Sequence, residues 1–135
     1  IYEGTTQLQV VAAIRYISNG TYLTIIKEML EKEVAEELQP LKARVVEMVK
    51  LYEQALEYVK EAQDQEMHDF LARRLYNITA EIIMSLLILE DATRSAELFA
   101  KSANVYVRMA QADVIGDHAY IMNFVKEDLP SFRAE

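Results

Sequence analysis

From Leu41 the apolar residues recur at steps of four and three: Leu41, Val45, Met48, Tyr52, Ala55, Val59 and Ala62. That spacing lays one apolar stripe along a helix of about six turns. A helix cannot bury such a stripe by itself, so the chain must supply other helices to lie along it. A second series follows in Met67, Leu71, Leu75, Ile78, Ile82, Leu86 and Leu89. It is apolar nearly all round between Ile82 and Leu89, which predicts a place in the middle of a bundle. A third runs through Leu98, Ser102, Val105, Met109 and Ala112, reaching Ala119 and Met122, and its many small residues permit close approach of a neighbour.

Helix breakers are scarce, with 3 glycines and 2 prolines in 135 residues. No window alternates apolar and polar residues as a half-buried strand does. The reading is therefore all-α: an up-and-down antiparallel bundle of about five helices, three of them long. Breaks fall at Ser18 to Gly20, at Gln39 and Pro40, at Ala62 to Glu66, at Asp91 to Ser95 and at Asp128 to Pro130. They predict a first helix from about Thr5 to Ile17, with Thr5 or Thr6 as its N-cap and Asn19 and Gly20 as a left-handed stop. The second helix is predicted over about Thr21 to Leu38, with Ile25, Met29, Leu30, Val34 and Leu38 on one face. Pro40 suits the first turn of the third helix, where its missing N–H costs nothing.

A length of 135 residues and a hydrophobic share of 52% suffice for one core without external staples. The net charge is −8 and is spread along the chain, so neither nucleic acid nor an anionic membrane surface is an expected partner. With no cysteine there is no disulfide framework, thiolate zinc site or cysteine nucleophile, a composition that fits a cytoplasmic setting. The apolar stretch around residues 82 to 90 is far shorter than the roughly 20 residues of a membrane span.

Chemistry is sparse in the helical part. A di-iron centre needs Glu-x-x-His on two helices, but His68 has Gln65 three residues earlier and His118 has Ile115, so no metal site is expected. The glutamates around Glu28 to Glu37 read as a solvated face. Tyr52, Tyr58, Tyr76, Tyr106 and Tyr120 fall at helical spacing and read as core residues with hydroxyls reaching the edge. Asp113, Asp117 and Arg108 lie near an apolar seam, and a structural ion pair with Arg73, Arg74 or Arg94 is the expected arrangement.

The first residues are different in kind. "IYEGTTQLQ" sets an acidic residue and a glycine ahead of a helix, and it closely resembles the signature near the end of the catalytic domain of acyl-CoA dehydrogenases. Ile1, Tyr2, Glu3, Gly4, Thr5, Gln7 and Gln9 match that signature in order, Leu8 replaces an isoleucine, and Val10 stands where an arginine often follows. The resemblance implies that Glu3 is the catalytic base that removes the α-proton of an acyl-CoA thioester, a task suited to a carboxylate whose pKa is raised by burial. It further implies that Gly4 lies against the substrate and that Thr5, Thr6 and Gln7 contact FAD.

Such chains normally end soon after this motif, whereas more than 100 residues follow here. The layout resembles the long bacterial members with an additional helical, acetyl-CoA dehydrogenase-like C-terminal domain. Residues 1–20 are thus read as the end of the catalytic domain and residues 21–135 as the C-terminal bundle, with Ile1 a cut point inside a larger enzyme. What the resemblance implies for the parent is an FAD-dependent α,β-dehydrogenation, an acyl-CoA substrate, an electron acceptor and a homo-oligomeric state. The fragment alone is expected to be inactive and to hold no FAD. The alternative from another class is a non-enzymatic acidic helical module for interaction or dimerisation.

Overall fold

The computed structural model describes residues 20–132, and the predicted first helix lies outside them. Four α-helices follow in order: α1 (Thr21–Leu30), α2 (Gln39–Ala62), α3 (Gln65–Arg94) and α4 (Ala96–Asn123). Short 3-10 helices occupy Glu36–Leu38 and Lys126–Phe132. The three long helices pack on one another as an antiparallel bundle, and α1 lies against α3. All-α architecture and three long helices are as expected.

The two stripes on α2 and α3 form the centre of the core. Val45, Met48, Tyr52 and Ala55 of α2 have no exposed surface, and neither do Leu71, Leu75, Ile78, Ile82 and Leu89 of α3. Each such aliphatic side chain withdrawn from water stabilises the fold by roughly 1.5–3 kcal/mol. Pro40 sits in the first turn of α2, as its chemistry requires. The turn into α3 is two residues long: Gln63 takes a left-handed conformation with φ 50°, and Asp64 caps α3 by accepting a 2.9 Å hydrogen bond from the Met67 N–H.

Three expectations are corrected. The second predicted helix stops at Leu30 instead of Leu38, and the chain runs without helix through Glu33, Val34 and Ala35. Tertiary bonds capture this connector: the Ala35 N–H donates to Thr93 Oγ1 at 3.2 Å, Lys32 reaches Glu90 at 3.4 Å, and the Lys42 ammonium donates to the Lys32 carbonyl at 3.1 Å. The single fully buried residue of α1 is Ile26, while the neighbouring Ile25, expected on the buried face, is exposed. Next, α3 is not enclosed on all sides, because Met84 and Leu87 remain 51% and 42% exposed. The third correction concerns α4, where the core takes Ala103, Val107, Ala110, Val114 and Ile121, and the seam read from the sequence faces outward. Two apolar stripes share that helix, and the narrower residues of the buried one let α4 approach α2 and α3 closely.

Candidate functional site

The residues that the opening motif nominates, Glu3, Gly4, Thr5, Thr6 and Gln7, lie outside the described residues. Within residues 20–132, polar groups converge at one place, the crease between α3 and α4.

Arg74 of α3 points across this crease and donates to Asp117 Oδ1 of α4 at 2.9 Å. Its guanidinium carbon lies 3.6 Å from the centre of the Tyr120 ring, one helical turn further along α4. About three turns back along α4 from Asp117, the Tyr106 hydroxyl donates to Glu81 of α3 at 3.1 Å. Between these pairs runs an open groove of about 620 Å³, lined by Arg74, Glu81, Asp113, Gly116, Asp117 and Tyr120 among others.

The electrostatics follow from three carboxylates sharing one cation. Burial raises the pKa of Asp117, Arg74 pulls it back, and Asp113 adds to the rise. Burial raises Glu81 too, against the Tyr106 hydrogen bond, with Asp113 and Asp117 adding their charge. Tyr106 is pushed up to about 12, first by burial and then by the Glu81 charge, so its hydroxyl stays a donor. Of the expected ion pairs, Arg74–Asp117 forms, whereas Arg94 turns back to Asp91 on its own helix. Neither Arg108 nor Asp113 has an ion-pair partner among the described residues.

The histidines occupy separate places. His118 meets Gln54 of α2 at 3.0 Å, and burial lowers its pKa. His68 is half-buried at the start of α3, 3.8 Å from Asp69. Among the described residues no group of three or more histidine, aspartate and glutamate side chains is placed to hold a metal ion. No helix there is long and apolar enough to cross a membrane. Beside the Arg74–Tyr120 contact, Phe70 stacks on Phe124 and meets Phe132, each at 5.0 Å between ring centres, and Tyr58 donates to the Phe124 carbonyl. These rings seal the C-terminal 3-10 helix onto the bundle.

The crease gathers three carboxylates around the Arg74 guanidinium, and its hydrogen bonds and ion pair join α3 to α4. Its carboxylates also repel the diphosphate that FAD and CoA both contain, so the groove does not fit either molecule. Its role is to lock α3 to α4. Tyr106 and Tyr120 are half-buried, Tyr106 with its hydroxyl on Glu81, whereas Tyr76, also expected in the core, is exposed. Glu81 escaped notice because it is one acid in an acidic chain; its spacing of seven from Arg74, which puts both on one face of α3, was the available signal.

Comparisons with known proteins agree with this fold. Residues 18–129 match the family model described as "Acyl-CoA dehydrogenase C terminal". A solved structure of an acyl-CoA dehydrogenase family protein from Porphyromonas gingivalis is 38% identical, with a TM-score of 0.79, over 84% of this chain and 98% of that one. Comparison with curated proteins returns no match. The matched region takes in all four helices of the bundle, and the chain belongs to the acyl-CoA dehydrogenase C-terminal family.

Proposed function

We propose that this chain is the C-terminal part of a flavin-dependent acyl-CoA dehydrogenase that introduces a double bond between the α and β carbons of an acyl-CoA thioester. The observation that carries the reading is the order of two independent signals: the "IYEGTTQLQ" motif, followed at residue 18 by the family match. In this reading Glu3 takes the α-proton, Gly4 lets backbone approach the substrate, and Thr5, Thr6 and Gln7 face FAD, which supplies the oxidant in the full-length protein. The bundle serves packing or assembly, an electron acceptor reoxidises the parent, and the compartment is the cytoplasm.

The test is the visible spectrum of the protein expressed from its complete natural reading frame, before and after anaerobic addition of acyl-CoA thioesters of graded length. A flavin band that bleaches with one length class, and a Glu3→Gln variant that binds thioester without bleaching, are the expected results. Expression of a full-length protein without flavin sinks the enzymatic reading and leaves the interaction module.

A further inference from the structure

The outward face of α4 carries a second seam that no other element among the described residues covers. Leu98, Ser102, Val105, Met109, Ala112 and Gly116 step by four and three, and Ala119 continues the series. All seven are exposed, Leu98 at 72% and Val105 at 66%. No charge interrupts the stripe. Gly116 adds an independent observation. It lies in the interior of a helix, where glycine weakens the structure, yet its φ is ordinary and a Cβ there would meet nothing within 4 Å. Nothing among the described residues requires glycine at that position, whereas a helix packed closely on the seam would.

The flanks of the seam identify the occupant. On one side stand Lys101, Arg108 and Ile115; on the other stand Tyr106, Asp113 and Tyr120, with Asp117 beside them on α4 and Glu81 across the crease. When two helices run parallel about a twofold axis, the first flank of one lies beside the second flank of the other, and a residue reaches the one about five positions further along. Arg108 then meets Asp113 of the second copy, Lys101 meets Tyr106 with its bound Glu81, and Ile115 meets Tyr120. An antiparallel pair would set Arg108 against Arg108 and gather the carboxylates of both copies. We infer that α4 pairs in parallel with α4 of a second copy of this chain, Gly116 against Gly116, with Arg108–Asp113 ion pairs on both flanks. The inference rests on the assembly role proposed above and is independent of the parent's chemistry, because its test reads mass and orientation and needs no flavin.

The experiment is sedimentation equilibrium of the 135-residue chain, 15.5 kDa as a monomer. The solved chain from Porphyromonas gingivalis is matched over 98% of its length, so a chain of this extent is a suitable unit for the measurement. A dimer is expected at low salt. Gly116→Leu is expected to weaken it at least about tenfold while circular dichroism and Tm hold or rise, since the monomer has room for the side chain. Arg108→Asp and Asp113→Arg are each expected to weaken it by roughly threefold or more, with recovery when both are exchanged in one chain. Because the chain has no cysteine, Ala112→Cys reports orientation directly: parallel pairing sets the two thiols face to face, and oxidation yields a covalent dimer. A monomer at every concentration, or a dimer indifferent to Gly116→Leu, overturns the inference. A dimer in which Ala112→Cys fails to cross-link overturns the parallel arrangement.

Discussion

The guanidinium of Arg74 is held twice, 3.6 Å above the Tyr120 ring and 2.9 Å from Asp117. All three groups lie in the α3–α4 crease, so the contact ties the two longest helices together near one end. Arg74→Met keeps the aliphatic stem and removes the charge; it is expected to cost about 1–2 kcal/mol, because Asp117 is left beside Asp113 and Glu81 without a cation. Arg74→Lys keeps the charge but loses the flat stack, with an expected loss of about 0.5–1 kcal/mol. Urea denaturation of both variants, and of each combined with Tyr120→Leu, separates the stacking from the ion pair. Equal losses in the two variants would show that the charge contributes nothing beyond the stack, and no loss in Arg74→Lys would show that the ring contributes nothing.

The same crease sets a dependence on pH. Glu81 and Asp117 both have pKa values raised in the folded state, with burial the largest cause. A carboxyl whose folded pKa exceeds its unfolded one is protonated first in the folded chain, so the fold gains stability as pH falls through the folded value toward the unfolded one. Above that window both states are ionised and the gain is absent. Thermal melts are therefore expected to show a higher Tm at about pH 5 than at neutrality. Glu81→Gln should flatten the rise. A Tm that falls steadily from neutral to mildly acid pH would remove this account.

Several features of this bundle were legible from spacing alone, for a definite physical reason. On α2 and α3 a single stripe satisfies the four-and-three rule, so Met48, Tyr52, Leu75 and Ile82 could be assigned to the core without knowing their partners. On α4 two stripes satisfy it, and periodicity cannot choose between Leu98, Val105 and Met109 on one side and Ala103, Val107 and Ala110 on the other. Hydrophobicity favoured the first set, whereas close packing selected the smaller one. The connector at Glu33 to Ala35 was illegible because its hydrogen bonds go to Thr93 and Glu90, 58 residues away. Within the crease, the Arg74–Asp117 pair was foreseen as one of several pairings, but the role of Glu81 depends on which face of α4 turns inward.

That assignment of faces can be tested on stability. Ala110 is fully buried and Val105 is 66% exposed, although both lie at seam positions. Ala110→Leu is expected to cost about 1–3 kcal/mol by forcing α4 away from its neighbours. Val105→Ser, at a concentration where the chain is monomeric, should change stability by less than about 0.5 kcal/mol. The reverse ranking in urea melts would return α4 to the orientation its hydrophobicity suggests.

Tyr52 presents an exception inside the core. Its ring has no exposed surface, its hydroxyl finds no hydrogen-bond partner among the described residues, and burial pushes its pKa well above the ordinary tyrosine value. Leaving a buried hydroxyl unpaired costs about 1–3 kcal/mol. Tyr52→Phe removes the oxygen and keeps the ring, so it is expected to be neutral or to stabilise by up to about 1 kcal/mol, whereas Tyr52→Ala should cost about 3–5 kcal/mol. Equilibrium unfolding in urea measures both. A clear loss on Tyr52→Phe would reveal a partner for the hydroxyl, such as a bound water.

The tight α2–α3 turn yields two substitutions of opposite sign at adjacent positions. Asp64 stands in the extended region and accepts the Met67 N–H, which would otherwise be an orphan donor at the start of α3. Asp64→Ala removes that acceptor and the favourable charge at the helix N-terminus, with an expected loss of about 1 kcal/mol. Gln63, just before it, holds φ at 50°, where an L side chain is strained and glycine is at ease. Gln63→Gly is therefore expected to stabilise by up to about 1 kcal/mol, the relief of strain outweighing the added freedom of the unfolded chain. Because the turn joins the two helices that contribute most of the core, both effects should appear in global unfolding. Measured by urea titration, a loss at Gln63→Gly comparable to that at Asp64→Ala would mean that the left-handed residue carries no strain and that the cap alone sets the turn.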